Sequence, residues 1–287
     1  AFYECKSLVS VKMPESITKI SDWAFSGCTS LVSVKIPECI TKISYRAFAG
    51  CKSLKSVVIP KSVTKIGDWA FEDCESLMDV EIPESVTEIG NSAFYECKSL
   101  VSVKMPESIT KISEGAFYGC TSLKSIIISV GAAGVIEIGD SAFRGCASLK
   151  LVGISAGVTE IGDSTFNDCT SIKSVVISSS VTEIGESAFY GCKSLKSVEI
   201  PEGVAEIGEE AFWLCASLKS VKLPKGVTEI GESAFQWCES LALVEFGGTV
   251  AQWESVKNKH NLLISIPATV VKCIDGEWKK PVSLVED

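Results

Sequence analysis

Histidine is nearly absent from this sequence, and the cysteines never occur in close pairs. Among 287 residues there is one histidine, His260, and the thirteen cysteines form no CxxC motif. Because structural zinc sites need clustered cysteine or histidine ligands, the sequence indicates no metal centre. We expect no cofactor.

Long hydrophobic runs and net positive charge are also missing. No apolar run approaches the roughly 18 residues of a membrane span, and no signal peptide is visible. Acidic residues outnumber basic residues by 36 to 27, and the net charge of -9 argues against a nucleic-acid partner. The apolar content of 46% is nevertheless enough for a continuous core.

The dominant feature of the sequence is a repeat of 23 residues. Eleven of the twelve phenylalanines lie on one ladder, and every step of that ladder is 23 residues except one step of 26. The ladder consists of Phe2, Phe25, Phe48, Phe71, Phe94, Phe117, Phe143, Phe166, Phe189, Phe212 and Phe235. Similar ladders of Leu, Val and Ile give the consensus C-x-S-L-x-S-V-x-I-P-x-S-V-T-x-I-G-x-x-A-F-x-G. A short fixed period is typical of a solenoid, in which each repeat forms one coil.

The consensus predicts the structure of one coil. Ser-Val-x-Ile-Pro alternates polar and apolar residues, which indicates a short first strand that ends at the proline. Val-Thr-x-Ile alternates again and indicates a second short strand, and a glycine such as Gly67 or Gly185 follows it in a turn where we expect a positive φ. The segment around Ala-Phe has helical spacing and predicts a short helical turn.

The consensus coil resembles the BspA-type leucine-rich repeat, also called the Treponema pallidum type. The resemblance covers residues 1–246, as about eleven coils of which the first is truncated. It implies a leucine-rich-repeat solenoid, a right-handed superhelix of β-rich coils. Residues 247–287 resemble the C-terminal cap and tail of such proteins. The chain begins in the middle of a repeat, so we expect it to be a fragment of a longer protein.

Eleven cysteines form a ladder of their own. They are Cys5, Cys28, Cys51, Cys74, Cys97, Cys120, Cys146, Cys169, Cys192, Cys215 and Cys238. One cysteine per coil predicts a packing position, because a free cysteine behaves as a small buried hydrophobe. Disulfides between neighbouring coils are the alternative.

The middle coils depart from the consensus. The sixth coil gains three residues and loses its proline within residues 125–136, and the next two coils have Ser155 and Ser178 in place of proline. A tolerated loop insertion and a bulge at a binding site are both compatible with this change, since insertions fall on loops that often carry function.

The outward-facing residues of the first strand are the candidate partner-binding residues. The family resemblance places this strand on the concave face. The candidates are Val58, Glu81, Lys104, Ile127, Leu151, Val176 and Glu199. Ile127, Leu151 and Val176 are apolar where solvent is expected and fall in adjacent coils, so they would form a patch of the kind that often marks an interaction site. A single exposed valine, in contrast, is ordinary.

The outward position of the second strand changes charge along the chain. It holds Lys19, Lys42, Lys65, Glu88, Lys111, Glu137, Glu160, Glu183, Glu206 and Glu229. A solvated face explains such a row, and electrostatic steering of a partner is the functional interpretation.

The sequence predicts a protein that is not an enzyme. It contains no Walker, GxGxxG or GxSxG motif, and His260 lies in a polar loop where we expect it to be exposed. The resemblance implies a cell-surface or secreted location and an adhesin-like module that binds a protein or another cell-surface macromolecule of a host or matrix. The alternatives are a structural spacer that presents another domain and an accessory module of an enzyme outside this fragment. We expect a monomer, with end-to-end association possible at the open N-terminal edge.

Overall fold

A computed structural model describes residues 2–128 and 136–279. The backbone winds into stacked coils, each with a first strand of three or four residues. The first strands are Ser10–Lys12, Ser33–Lys35, Ser56–Val58, Asp79–Glu81, Ser102–Lys104, Ser125–Ile128, Leu151–Ile154, Ser174–Ile177, Ser197–Glu199, Ser220–Leu223 and Leu243–Phe246. The second strands have two residues each: Lys42–Ile43, Lys65–Ile66, Glu88–Ile89, Lys111–Ile112, Glu137–Ile138, Glu160–Ile161, Glu183–Ile184, Glu206–Ile207 and Glu229–Ile230. The three-residue insertion of the sixth coil falls on residues 129–135, outside the described residues.

Strands of neighbouring coils pair in parallel within separate sheets, and equivalent residues face each other. Among the described residues the first strands form three sheets, with breaks after Lys104 and after Ile177, and the second strands form two, with a break after Ile138. Val34 pairs with Val57 in the first-strand ladder, and Ile66 pairs with Ile89 in the second-strand ladder. The alternation predicted from the consensus is present, because the central residue of a first strand is buried and its neighbours are exposed. The predicted β-rich repeat solenoid is thus confirmed.

The segment around Ala-Phe is a run of turns and not the predicted helical turn. Its N–H groups bond alternately within the coil and to the next coil. The Ala47 N–H donates to the Ser44 carbonyl at 3.2 Å, whereas the Phe48 N–H donates to the Ala70 carbonyl at 2.9 Å. The helix-like spacing of the sequence therefore reflects a third ladder of bonds between coils, which satisfies backbone groups that a helix would satisfy internally.

The repeat glycine after the second strand does not adopt the positive φ that the sequence predicts. Glycine is found at this position because the neighbouring coil approaches closely. A Cβ on Gly67 would lie 2.7 Å from the carbonyl oxygen of Ile43. Apart from Gly157 and the cap residues Asn258 and Ser265, the left-handed residues lie two positions before or two positions after the ladder phenylalanines. Arg46 and Gly50, which flank Phe48, have φ of 49° and 70°.

The interior is one column of stacked equivalent side chains. Successive ladder phenylalanines have ring centroids 5.1–5.6 Å apart and nearly parallel ring planes. The rings from Phe48 to Phe235 are completely buried, whereas Phe2 in the first coil is 44% exposed. Phenylalanine therefore contributes both buried area and ring stacking in each interior coil.

A short cap follows the last coil. The helix Val250–Glu254 begins at Thr249, whose side chain accepts from the Gln252 N–H in a capping box. Trp253 is completely buried and packs edge-on against Phe246 and Trp278. A 3-10 helix, Lys259–Leu263, and an antiparallel hairpin of Val270–Cys273 and Gly276–Lys279 complete the cap.

The Phe column predicts a large stability difference between interior and end positions. Phe117→Ala should lower the free energy of unfolding by about 3–5 kcal/mol, because it leaves a cavity between two stacked rings. Phe2→Ala, which is the same change at the exposed end, should cost much less. Chemical denaturation of both variants measures the difference, and equal losses would contradict a column whose interior coils carry the packing.

Candidate partner-binding surface

The first-strand ladder places all seven candidate residues on one exposed face, hereafter the first-strand face. Val58, Ile127, Leu151 and Val176 are 72%, 58%, 45% and 65% exposed. The charged candidates Glu81, Lys104 and Glu199 are exposed as well. The candidates lie in three sheets, since the strand pairing is interrupted between Lys104 and Ser125 and between Ile177 and Ser197. Backbone bonds from Lys124 to Val101 and from Lys196 to Lys173 keep the register across both breaks, and side chains alternate between the two faces of a strand, so the candidates share one face.

The apolar side chains at the middle of this face form a contiguous patch, here called the apolar patch: Ile127, Leu151 and Val176. Ile127 and Val176 both pair with Gly153, on opposite sides of its strand, and Leu151 lies two residues before Gly153. The position of Gly153 is open, since a Cβ there would first meet the Ile127 Cγ2 at 3.8 Å. The patch therefore has a shallow depression at Gly153, which has no side chain, and three exposed apolar side chains surround it.

The loss of proline lengthens the sheet beneath the apolar patch. Proline has no N–H, but Ser155 donates its N–H to the Ile128 carbonyl at 3.2 Å, and Ser178 donates to the Ile154 carbonyl at 3.1 Å. These bonds extend the strands there to four residues. The serines that replace proline thus add one hydrogen-bonded residue to the strands that carry the patch side chains.

Two grooves lie on either side of the apolar patch along the same face. The N-terminal groove has a volume of about 970 Å³, and its lining includes Val58, Glu81 and Lys104. The C-terminal groove has a volume of about 410 Å³, and its lining includes Val176 and Glu199. Five of the seven candidates line these grooves, and Ile127 and Leu151 lie between them.

The second-strand row changes sign as the sequence predicts, and ion pairs form where the signs meet. Lys65 bonds Glu88 at 2.6 Å, and Lys111 bonds Glu137 at 2.6 Å. From Glu160 to Glu229 the paired positions are all acidic. Partial burial raises the pKa of Glu160, and the neighbouring Glu183 carboxylate raises that pKa further.

The thirteen cysteines are free thiols, and ten of the eleven ladder cysteines are buried. Each of these ten donates to the carbonyl of the phenylalanine in the preceding coil, as Cys97 does to Phe71 at 3.2 Å. Burial raises the pKa of Cys51 to about 12 and that of Cys74 well above its usual value. The ten buried ladder thiols act as weak donors between coils, a role that sequence reasoning missed.

The described residues contain no group of three or more His, Cys, Asp and Glu side chains arranged to hold a metal ion. The expectation that His260 is exposed is wrong: the residue is half-buried, and its ring lies 5.7 Å from the Trp278 ring. His260 thus packs within the cap. Among residues 2–128 and 136–279, neither the length nor the apolar character of any helix suffices to cross a bilayer.

Comparison with known proteins identifies relatives of the coil. A family model described as the BspA type leucine rich repeat region matches with six copies, over residues 1–124, 41–171 and 110–242. A leucine rich cell surface protein from Faecalibacterium prausnitzii A2-165 is 33% identical, with 89% of this chain and 83% of that chain covered and a TM-score of 0.52. A leucine-rich repeat protein from Bacteroides ovatus ATCC 8483 is 29% identical, with coverages of 96% and 86% and a TM-score of 0.42. No curated protein matches the chain.

The burial of the thiols predicts which cysteines react with a water-soluble disulfide reagent. In the native protein at pH 8, Cys5, Cys39 and Cys273 should label readily, since they are exposed or half-buried. The ten buried ladder thiols should label only after denaturation, because a water-soluble reagent cannot reach their sulfur atoms in the folded protein. Counting released chromophore before and after denaturant measures this, and rapid native labelling of the ladder would contradict it.

Proposed function

Since the chain belongs to the BspA-type leucine-rich repeat family, we propose that it is an adhesin-like protein-binding module that works at the cell surface or in secreted form. Its partner would be a protein or another macromolecule of a host surface or matrix. The location is supported by the Faecalibacterium prausnitzii relative, which is described as a cell surface protein.

The apolar patch is the observation that carries this proposal. A solenoid hides its apolar residues in the column, so its outward positions are normally polar. Ile127, Leu151 and Val176 instead expose neighbouring apolar side chains at the centre of the first-strand face. An apolar centre with a charged surround, supplied here by Glu81, Lys104 and Glu199, is the composition of many protein interfaces.

The patch favours binding over a purely structural role. A spacer needs only the buried column and the ladders between coils, and exposed apolar side chains add nothing to either. A spacer would also leave the serines at 155 and 178 without a role, whereas they support the sheet under the patch. Catalysis does not enter the proposal, because His260 packs in the cap and the ladder thiols are buried.

Replacement of the patch by polar residues should weaken partner binding without unfolding the protein. The double variant Ile127→Ser and Val176→Ser should lose about tenfold or more in affinity, since the few residues that dominate binding, each worth more than about 1 kcal/mol, cluster near the centre of an interface. Binding is measured on an array of purified extracellular-matrix and cell-surface proteins, first with the unmodified chain and then with the variants.

Ile274→Ser is the matched control, because Ile274 is 72% exposed and lies at the tip of the cap hairpin, several coils from the apolar patch. It should bind like the unmodified chain. Thermal unfolding of all variants confirms that they are folded. If the double variant retains full affinity for every partner that the array identifies, the apolar patch is not the binding surface.

A further inference from the structure

Five consecutive coils carry a lysine at the same position, directly after the ladder leucine or isoleucine. These residues, here called the lysine row, are Lys124, Lys150, Lys173, Lys196 and Lys219. All five are exposed. The row lies at the entry to the first strand, so it borders the first-strand face without being part of the apolar patch.

Backbone hydrogen bonds show that the row is in register. The N–H of Lys150 donates to the Lys124 carbonyl at 2.9 Å, and the bond recurs from Lys173 to Lys150, from Lys196 to Lys173 and from Lys219 to Lys196 at 2.8–3.3 Å. Because stacked strands are about 4.8 Å apart, the five Cα atoms span roughly 19 Å in single file. The insertion of the sixth coil does not break this register.

The row has no anionic partner among the described residues, since none of the five lysines forms an ion pair. Outside the described ranges, residues 129–135 contain no acidic side chain, and the acidic side chains are Glu286 and Asp287 at the C-terminus. Like charges at this spacing repel each other. An external anion that bridges neighbouring ammonium groups would therefore be bound favourably.

The fold does not require lysine at this position. In the N-terminal coils the equivalent residues are Val9, Val32, Lys55, Met78 and Val101. The same five coils that carry the lysine row carry glutamate on the second strand, at positions 137, 160, 183, 206 and 229. Each of these coils is therefore basic at the entry to its first strand and acidic on its second strand, although the chain as a whole is acidic.

The residues that flank the row carry hydroxyl groups. Ser122, Thr121, Thr170 and Ser171 precede the lysines of their coils, and Ser125, Ser174, Ser197 and Ser220 follow them. No acidic residue lies among the positions between the ladder cysteine and the first strand in these five coils. The row thus combines regularly spaced positive charge with hydroxyl donors and acceptors, which match a ligand that has both anionic groups and hydroxyls.

We propose that the lysine row binds a linear acidic polysaccharide, with its sulfate or carboxylate groups on the ammonium groups and its sugar hydroxyls on the flanking Ser and Thr. This is a second binding surface, beyond the proposed protein contact at the apolar patch. A flexible glycan chain fits a single file of charges, because its anionic groups recur along one line.

Other polyanions fit the row less well. Double-stranded DNA presents two backbones across its grooves and would need charge on more than one line. Single-stranded nucleic acid is usually held by aromatic side chains on which bases stack, whereas Tyr190 and Trp213 of these coils stack on each other at the turn side. An anionic membrane would need a broad basic surface. These coils do not provide one, because their second strands are acidic.

The test uses the full chain and heparin as the probe, with binding measured by calorimetry at physiological salt. The triple variant Lys150→Gln, Lys173→Gln and Lys196→Gln should bind heparin at least about tenfold more weakly. Its slope of log affinity against log salt should fall by about 2, since three counterion-releasing contacts are lost. Neutral dextran should not bind the unmodified chain.

Lys6→Gln, Lys19→Gln and Lys42→Gln form the matched control, since these lysines are equally exposed, form no ion pair and change the net charge by the same amount. The heparin affinity of this variant should fall less than about twofold, because these lysines would contribute only long-range, salt-screened attraction. The Ile127→Ser and Val176→Ser variant should retain heparin binding, so a failure of the protein-contact proposal and a failure of this one are distinguishable.

Absence of heparin binding by the unmodified chain, or equal losses in the two triple variants, would overturn the proposal. Poly-L-glutamate, duplex DNA and vesicles of phosphatidylserine are tested in parallel. If any of them binds the row more tightly than heparin and with the same sensitivity to the row variant, the occupant is not a glycan.

Discussion

The structure depends on the register between neighbouring coils. The turn segments bond each coil to the next, and within each sheet the first and second strands add parallel bonds, so an equivalent residue lies over its equivalent. This constraint produces the phenylalanine stack and brings each buried cysteine to the carbonyl of the preceding phenylalanine. A residue type that packs well against itself is therefore favoured at every buried position, which is why the repeat is so visible in the sequence.

The same constraint aligns the outward positions into rows. Because the column and the ladders supply the stability, the outward residues are free to vary from coil to coil, and a run of one residue type there is not a requirement of the fold. The apolar patch, the lysine row and the second-strand glutamates other than Glu88 all lie from Lys124 onward, where proline is partly lost. We therefore propose that these coils carry the central contacts, with Glu81, Lys104 and the N-terminal groove of the preceding coils at their border.

Much of the fold could be predicted from the sequence, because period and alternation report buried positions directly. Two local details could not. The left-handed positions are occupied by residues as different as Trp23, Arg46 and Ser92, so residue type gives no signal for them. The glycine after the second strand is explained by the neighbouring backbone at Gly67, which only the stacked coils show.

The candidate surface followed from the outward alternation of the first strand, and the register later placed Ile127 and Val176 on either side of Gly153. The lysine row was visible in the sequence as a recurring residue, but its single-file geometry depends on the bonds between coils. The helix-like spacing around Ala-Phe predicted the wrong local structure, because the distance between buried residues there is set by stacking and not by helical turns.

Deletion of one complete coil tests the register most directly. Removal of residues 48–70, which is one period of 23 residues, should place Phe25 under Phe71 and leave a folded, cooperatively unfolding protein with one coil less. Removal of residues 48–58 leaves the coils on each side in register among themselves but offsets the two groups by about half a coil. It should interrupt the column at this junction and split the single unfolding transition, followed by circular dichroism, into two. If the two deletions have the same effect on folding, the coils are not interchangeable modules stacked by equivalent residues.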